Sequence, residues 1–293
     1  MSSILTNTSA IAALQTLRSI NNGMEATQDR ISSGMRVGAA KDNAAYWSIA
    51  TTMRSDNAAL SAVQDALGLG AAKVDTAYAG VQAAIDVVKE IKAKLVTATE
   101  QGVDKVKVQE EITQLQEQLR SIGSGAAFNG ENWLDGTAED ATVVTGFVRG
   151  NDGTVKVTTA SYDAETNALF GAYDPSTGTV EDGGILEQVL AITLEGEEDA
   201  TAMAEHLDNV ETALKDMATV GSTLGSLSKR ISLQEDFASK LSDAIDKGVG
   251  RLVDADMNEE STRLKALQTQ QQLAIQSLSI ANSNSQNILS LFR

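Results

Sequence analysis

Cysteine is absent from the chain of 293 residues, and proline and histidine each occur once, as Pro175 and His206. A chain without cysteine forms no disulfide and has no thiol for catalysis or metal binding. A single histidine excludes a zinc pair of the His-x-x-x-His type. Because globular proteins use proline at about 5% of positions, this shortage leaves long stretches in which nothing interrupts a helix.

Aromatic residues are also scarce, at 4% of the chain. Alanine, leucine, glutamine, glutamate and lysine are abundant, and these residues favour helix. The shortage of large rings argues against one thick core, whereas small side chains suit thin seams between long helices. The composition therefore predicts a mainly α protein.

Negative charge is concentrated in the middle of the chain. The net charge is −17, and residues 140–200 hold twelve acidic side chains against two basic ones. Residues 1–45 hold four basic and three acidic side chains, and residues 246–293 hold five of each. This distribution predicts near-neutral ends that pack together and an acidic middle that faces water. An acidic protein repels phosphate backbones, so nucleic acid is not expected as a partner.

Long apolar runs are missing as well. No run of 18 apolar residues occurs, and no short apolar core precedes a cleavage site near the start. The sequence therefore predicts neither a membrane span nor a classical signal peptide. The lack of cysteine fits the cytoplasm, and it fits equally an exported protein that avoids oxidative folding.

Helical periodicity begins near the start of the chain. Residues 4–35 carry one apolar stripe with spacings of mostly three, four or seven, and 34–42 are expected to be a connector. A second helix is predicted over 43–99. At 1.5 Å per residue it would be about 85 Å long, so it needs a partner along most of its length. The expected weak points of this helix are Gly68, Gly70 and Gly80.

The chain changes character in its middle. A third helix is predicted over 104–122, with Asp104 as its N-cap. Alternating Thr and Val residues in 141–146 and 154–159 then predict a β-hairpin. The segment 185–194 is a candidate for one more strand.

Helix returns near Ala200, with an expected break at Gly248 and Gly250. Apolar spacings of three and four continue to the second-last residue. Such stripes at both ends, with no globular body beside them in sequence, must be buried by each other or by neighbouring copies of the chain. The predicted subunit-assembly seam is Ile4, Ile11, Leu14, Leu17, Met24, Ile31, Leu264, Leu267, Gln271, Leu278 and Ile288.

Short motifs near both ends carry a family resemblance. They are RISSGMRV at 30–37, AKDNAA at 40–45, FNG at 128–130, ANSN at 281–284 and LSLFR at 289–293. They resemble the patterns R-L-S-S-G-x-R-I, A-K-D-D-A-A, F-N-G, A-N-Q and L-L-R of the bacterial flagellins. The chain resembles the alphaproteobacterial members of this family. The resemblance covers residues 1–135 and 200–293.

The resemblance implies a long antiparallel coiled-coil helical bundle from both termini with a small β-rich central insert. It implies no enzyme and no cofactor, but a structural subunit that polymerises into the extracellular flagellar filament, the propeller for swimming. A hook–filament junction protein is the alternative. The implied parts are an N-terminal inner-core helix and connector (1–42), outer-core helices (43–135), a variable surface region (136–199), a C-terminal outer-core helix (200–247) and a C-terminal inner-core helix (248–293).

Partners and location follow from the same resemblance. Besides other flagellin copies, it implies the type III export machinery and a chaperone, the filament cap and the junction proteins, and it implies a secreted protein. A chain with no cysteine and one proline suits export in an unfolded state, because it refolds without slow disulfide or prolyl steps.

One stretch departs from the family pattern. Some flagellins carry an R-V-R-E-L-A-V-like patch bound by Toll-like receptor 5, and residues 90–96 stand in its place. Glu90 reverses the first charge and Lys94 replaces an apolar residue. The degenerate patch therefore predicts a poor agonist of that receptor, and its residues are Glu90, Ile91, Lys92, Lys94 and Leu95.

Single residues with chemical potential have ordinary interpretations. The acid pair Glu259-Glu260 points to different helix faces, so it is expected to be solvated charge that does not converge on a substrate or metal ion. His206 is expected to have a surface or packing role, without a G-x-S-x-G elbow. Trp47 is either a packing anchor within the chain or a contact between subunits. Gln271 is a candidate for setting helix register.

Overall fold

The computed structural model describes residues 7–100, 102–136, 141–150, 153–194 and 200–290, and of Ala200 and 284–290 it describes the backbone. Its helices are α1 (Thr8–Ser33), α2 (Ala44–Ala98), α3 (Lys105–Gly125), α4 (Glu187–Leu190), α5 (Ala200–Val253) and α6 (Met257–Ser290). Its strands are β1 (Ala127–Phe128), β2 (Glu131–Asn132), β3 (Ala141–Arg149), β4 (Val155–Tyr162), β5 (Tyr173–Asp174) and β6 (Thr179–Val180). The predicted mainly α fold with a small β-rich insert is confirmed.

The chain forms two compact units. The terminal unit contains residues 1–57 and 243–293, and the central unit contains residues 58–242. Helices α2 and α5 contribute residues to both. The finer five-part division of the chain stays a prediction. None of the described helices combines the length and the apolar character that crossing a membrane requires.

In the central unit, α2 and α5 run antiparallel. Ser228 Oγ of α5 donates to Asp75 Oδ1 of α2 at 3.1 Å, and further along α2 Lys92 forms an ion pair with Glu211 of α5. Their buried apolar residues repeat at alternating spacings of three and four, which is the seam of a coiled coil. On α2 these residues are Val74, Ala77, Val81, Ala84, Val88, Ile91, Leu95 and Ala98.

The predicted β-hairpin lies in the central unit. Strands β3 and β4 pair antiparallel from Ala141 opposite Tyr162 to Arg149 opposite Val155, with a register shift between Val144 and Gly146. The predicted hairpin is confirmed, although its turn residues 151–152 lie outside the described part of the chain.

The FNG motif forms a tight turn between β1 and β2. Asn129 has a φ of 53° and Gly130 a φ of 83°. Two consecutive positive φ values define the turn type that fits a two-residue hairpin, and Asn-Gly is the sequence that best tolerates it. The residues of the motif are therefore explained by local backbone geometry.

The expected strand at 185–194 is wrong. The chain forms a 3₁₀ turn at Gly184–Leu186 and then the short helix α4. The reason is that side chains of α3 bind this segment's backbone. Gln116 Nε2 donates to the carbonyl oxygens of Val189 and Ile192, each at 3.0 Å.

The expected helix break at Gly248 and Gly250 is also wrong, because α5 continues through both residues to Val253. Helix α2 is continuous through Gly68, Gly70 and Gly80, close to its predicted bounds. A glycine inside a helix costs only about 1 kcal/mol relative to alanine, which packing offsets. At Gly80, a Cβ would lie 2.7 Å from Leu134, so the missing side chain permits a close approach.

Candidate interaction surface

Helices α1 and α6 pack antiparallel in the terminal unit. Successive contacts move toward the end of α1 as they move toward the start of α6. Near the start of α1, Asn7 Nδ2 donates to the Ala281 carbonyl oxygen at 3.0 Å. In the middle, Gln271 Nε2 donates to Asn21 Oδ1 at 2.8 Å, and a Cβ on Gly23 would lie 3.7 Å from Leu267 Cδ2. Near the end of α1, Arg30 Nη1 donates to Glu260 Oε1 at 3.2 Å.

The facing sides of both helices follow one pattern. Buried and half-buried positions alternate in steps of three and four, as in a coiled coil. On α1 they are Ala10, Ala13, Leu17, Ile20, Met24, Thr27 and Ile31, and on α6 they are Glu260, Leu264, Leu267, Gln271, Ala274, Leu278 and Ala281. The seam predicted from sequence therefore contributes Leu17, Met24, Ile31, Leu264, Leu267, Gln271 and Leu278 to this pair. The role of these residues between copies of the chain stays a prediction.

Two predicted seam residues of α1 lie outside the pair. Ile11 is 54% exposed and Leu14 is 41% exposed. Ile4 and the side chain of Ile288 lie outside the described part of the chain. The exposed residues leave an apolar surface on α1 that α6 does not cover.

Helix α6 also carries exposed apolar residues that sequence reasoning missed. Leu273, Ile275 and Ile280 are 59%, 52% and 68% exposed. At about 100° per residue, Leu273 and Ile280 share one face of the helix, whereas Ile275 lies on nearly the opposite face. Apolar residues on more than one face of a helix are the signal that could have found them.

The connectors beside the helix pair are joined to each other. Gly34 ends α1 with a φ of 71°, the left-handed conformation typical of helix C-caps. Its carbonyl oxygen accepts from Ala255 N at 2.9 Å, and Arg36 N donates to the Val253 carbonyl oxygen at 2.6 Å. Asp256 caps α6 by accepting from Asn258 N at 2.8 Å. A small apolar cluster packs beside this joint, and its buried members are Val37, Ala50, Val249 and Val253.

A buried carboxylate lies one helical turn from the joint. Glu260 is 4% exposed, and its Oε1 accepts from Arg30 Nη1 at 3.2 Å and from Arg263 Nη1 at 3.1 Å. Its Oε2 is buried without a hydrogen-bond partner among the described residues. Sequence reasoning took Glu260 for a solvated charge, and this interpretation is wrong. Its place in the heptad pattern, one step before Leu264, is the signal that identifies it as a seam position.

Aromatic side chains are exposed at the start of α2. Tyr46 and Trp47 are 41% and 39% exposed, and Ile49 is 49% exposed. Exposure of this size does not fit an anchor buried within the chain. It leaves Trp47 available for contacts between subunits.

The stretch that replaces the receptor-binding patch is engaged within the central unit. Ile91 and Leu95 are fully buried in its core, and Glu90 is exposed. Lys92 forms an ion pair with Glu211 of α5, and Lys94 forms one with Glu111 of α3. Both lysines are therefore paired in the folded chain.

Two titratable side chains of the central unit, Glu131 and Tyr162, have shifted pKa values. A hydrogen bond from Lys73, with a second from Trp133 Nε1 at 2.9 Å, lowers the pKa of Glu131. Burial raises the pKa of Tyr162 to about 12. The Tyr162 ring stacks on the Trp133 ring, with 5.6 Å between the ring centroids. Among the described residues, no group of three or more histidine or acidic side chains is arranged to hold a metal ion.

Comparison with known sequences gives two family matches. A family described as the bacterial flagellin N-terminal helical region matches residues 4–139. A second, the bacterial flagellin C-terminal helical region, matches residues 207–292. Together they include α1 to α3, most of α5 and all of α6, and they leave residues 140–206 unmatched.

Relatives and a solved structure agree with these matches. The chain is 50% identical to flagellin A of Rhizobium meliloti strain 1021 and 47% identical to a flagellin of Brucella melitensis biotype 1, each comparison covering 100% of both chains. A putative flagellar hook-associated protein from Vibrio parahaemolyticus has a similar fold, with a TM-score of 0.52 at 12% identity, over 73% of this chain and 100% of that one.

Proposed function

This chain belongs to the bacterial flagellin family and is a structural subunit of the flagellar filament, and we propose that its terminal unit carries the surfaces on which copies assemble. The filament is the propeller for swimming, so the protein's role is mechanical.

The exposed apolar residues on α1 and α6 carry this proposal. Ile11, Leu14, Leu273, Ile275 and Ile280 are each at least 41% exposed in the single chain. Full burial of a side chain of this size contributes about 1.5–3 kcal/mol, and covering the part that is still exposed would contribute about half of that. Neighbouring copies that cover these residues would remove from water the apolar surface that the α1–α6 pair leaves bare.

Folding and assembly are coupled in this proposal. The α1–α6 pair is a thin two-helix layer, and helix pairs gain most of their stability from packing rather than from intrinsic propensity. Contacts with sister copies therefore stabilise the pair in the filament by mass action. The Trp47 side chain at the start of α2 is a further contact for a neighbouring copy.

The remaining partners are also proposals. Export through a type III channel with a chaperone, contact with cap and junction proteins and an extracellular location fit a chain that has no cysteine and one proline. Toll-like receptor 5 is proposed to respond weakly. Support comes from Ile91 and Leu95, which are buried, and from Lys92 and Lys94, which are paired with acidic side chains.

Truncation tests the assembly proposal. Chains that lack residues 1–40 and 254–293 are expected to stay monomeric under conditions in which the full chain forms filaments, as seen by electron microscopy. Circular dichroism and a thermal unfolding transition of the truncated chain show whether the central unit is still folded. Stable filaments of the truncated chain would refute the proposal.

A reporter-cell assay tests the receptor proposal. Cells that express Toll-like receptor 5 are expected to respond less to this protein than to an equal amount of an enteric flagellin. An equal response would contradict the proposal.

A further inference from the structure

The seam between α1 and α6 repeats every seven residues, and this repetition leaves its register open. If α1 withdrew from the joint by one heptad, Met24 would leave its place near Leu267 and face Ala274, so apolar positions would meet apolar positions again. Similar apolar layers do not distinguish such registers, and polar seam residues commonly do.

The lengths of the connectors allow α1 to slide more easily than α6. Three residues, 254–256, separate α5 from α6, whereas ten residues, 34–43, separate α1 from α2. A slide of one heptad moves a helix by about 10 Å, and a connector of ten residues spans up to about 33 Å when extended. Besides the backbone joint at Gly34 and Ala255, a contact between the two helices themselves would therefore act as a device that holds α1 at its place along α6.

The ion pair between Arg30 and Glu260 is such a device. Glu260 is buried in the seam, and the Arg30 guanidinium is the donor that reaches it from the opposite helix, at 3.2 Å. In the withdrawn register Arg30 would face Leu267, and Glu260 would lie beyond the last residue of α1, Ser33. Withdrawal would therefore leave Glu260 with Arg263 of its own helix alone, and it would place the Arg30 guanidinium beside an apolar side chain. A charged group that exchanges an ionic partner for an apolar neighbour is destabilising.

A second polar contact favours the same register. Gln271 Nε2 donates to Asn21 Oδ1 at 2.8 Å, about two turns further along the pair. Withdrawal by one heptad would place Asn21 near Leu278 and separate the two amides. Unlike the apolar layers, both contacts are satisfied only in the observed register.

We propose that the Arg30–Glu260 ion pair, aided by the Asn21–Gln271 hydrogen bond, sets the register of α1 against α6. Arg30 and Glu260 are thus positioning residues that fix where the exposed Ile11 and Leu14 of α1 lie along α6. The inference rests on the proposed function because this position decides which residues of the pair lie at the same level when other copies contact it. It differs from a stability role because replacing a buried ion pair by apolar residues often leaves stability unchanged.

The cysteine-free chain allows register to be read directly by disulfide formation. Gly23→Cys with Leu267→Cys reports the observed register, and Gly23→Cys with Ala274→Cys reports withdrawal of α1 by one heptad. Each reporter chain is isotope-labelled and mixed as a minor component into filaments of unsubstituted protein. Mass spectrometry then separates disulfides within one chain from those between chains. Filament formation in this design does not depend on the variant.

The test variant replaces the ion pair with apolar side chains, Arg30→Leu with Glu260→Leu. The ratio of the withdrawn-register disulfide to the observed-register disulfide is expected to rise about tenfold or more, because a seam without its buried pair no longer distinguishes the registers. Glu259→Gln is the matched control. Its exposed carboxylate accepts from Arg263 Nη2 at 2.9 Å on the same turn of α6, and the ratio should not change.

Three outcomes would overturn the inference. An unchanged ratio in the apolar variant would assign the register to the backbone joint at Gly34 and Ala255 alone. An equal rise in the Glu259→Gln control would show that any charge change on this turn loosens the pair. Exclusion of the apolar variant from the mixed filaments would show that the ion pair stabilises the pair instead of selecting its register. Failure of unsubstituted protein to form filaments would bear on the proposed function instead.

Discussion

The central and terminal units bury very different side chains. The largest fully buried residues all lie in the central unit, and they include Trp133, Phe170, Ile112 and Met217. Among the described residues of the terminal unit, no buried apolar side chain is larger than valine. Its buried apolar residues are Ala10, Val37, Ala50, Val249, Val253 and Ala274.

Several large apolar residues of the terminal unit are at its surface, while those of the α1–α6 seam are only half-buried. Ile11, Trp47, Leu273 and Ile280 are between 39% and 68% exposed. Since the free energy gained on folding grows with the apolar area removed from water, the central unit is the better stabilised of the two in a single chain. The difference shows that the central unit buries its apolar residues within the chain, whereas the terminal unit leaves apolar residues for neighbouring copies to bury.

The largest expected effect is a loss of stability on mutation in the core of the central unit. Phe170→Ala removes a fully buried ring beside Gly123 and should lower the free energy of unfolding by about 3–5 kcal/mol. Denaturant unfolding followed by circular dichroism measures the change. Leu273→Ala in the terminal unit is the control, and it should change the same quantity by less than about 0.5 kcal/mol. Similar losses in both variants would remove the distinction between the units.

An exposed apolar residue of the terminal unit is expected to affect polymerisation instead of unfolding. Ile280→Ser on α6 should leave the unfolding of the monomer nearly unchanged and should raise the critical concentration for filament growth about 10- to 100-fold, because 1.4 kcal/mol corresponds to a factor of ten. Sedimentation of filaments after growth from seeds measures this concentration. Gln270→Ser, an exposed position on the same helix, controls for helix propensity. A critical concentration that Ile280→Ser leaves unchanged would show that this surface stays bare in the filament.

Replacing two glycines of α2 by alanine should change the free energy of unfolding in opposite directions. A Cβ on Gly80 would lie 2.7 Å from Leu134 and 2.9 Å from Ala126, so Gly80→Ala should destabilise the central unit by about 1–3 kcal/mol. A Cβ on Gly68 meets nothing within 4 Å, so Gly68→Ala should stabilise the helix by up to about 1 kcal/mol. Thermal unfolding of both variants distinguishes packing from flexibility. If both variants were more stable than the unsubstituted chain, α2 would be able to move away from its neighbours at Gly80 at no cost in free energy.

Periodic elements were predictable from sequence because their signal is long. The stripe of α1, the seam of α5 and the Thr-Val alternation of the hairpin each repeat several times, so single exceptions do not hide them. The FNG turn has a short signal of its own, because Asn-Gly strongly favours a two-residue hairpin turn.

The failures have local physical causes. The segment 185–194 was read as a strand because its apolar residues are dense, but Gln116 on a distant helix decides its conformation. The breaks at Gly248 and Gly250 were overestimated because propensity ignores packing. Glu260 was read as a solvated charge because a carboxylate in a seam is rare, and its partner Arg30 lies far away in sequence. Contacts of this kind are set by tertiary structure and leave no local pattern.

The smallest expected effect concerns acid sensitivity, and it lies in the central unit. The hydrogen bond from Lys73 lowers the pKa of Glu131 in the folded chain, so the pair stabilises the fold above the unfolded pKa and is lost as pH falls through the folded value. Glu131→Gln should therefore be less stable than the unsubstituted chain at neutral pH, by about 0.2–1 kcal/mol because the pair is partly exposed. In acid the two chains should converge.

Unfolding free energies from pH 7 down to pH 3 would measure this convergence, with Glu117→Gln, an exposed carboxylate on α3, as the control. The control should differ from the unsubstituted chain by an amount that changes little with pH. Added salt should shrink the Glu131 effect at neutral pH, because partly exposed pairs are screened. If the Glu131→Gln difference grew in acid, the carboxylate would be held by its neighbours in the protonated form, and the sign of its contribution to the central unit would be reversed.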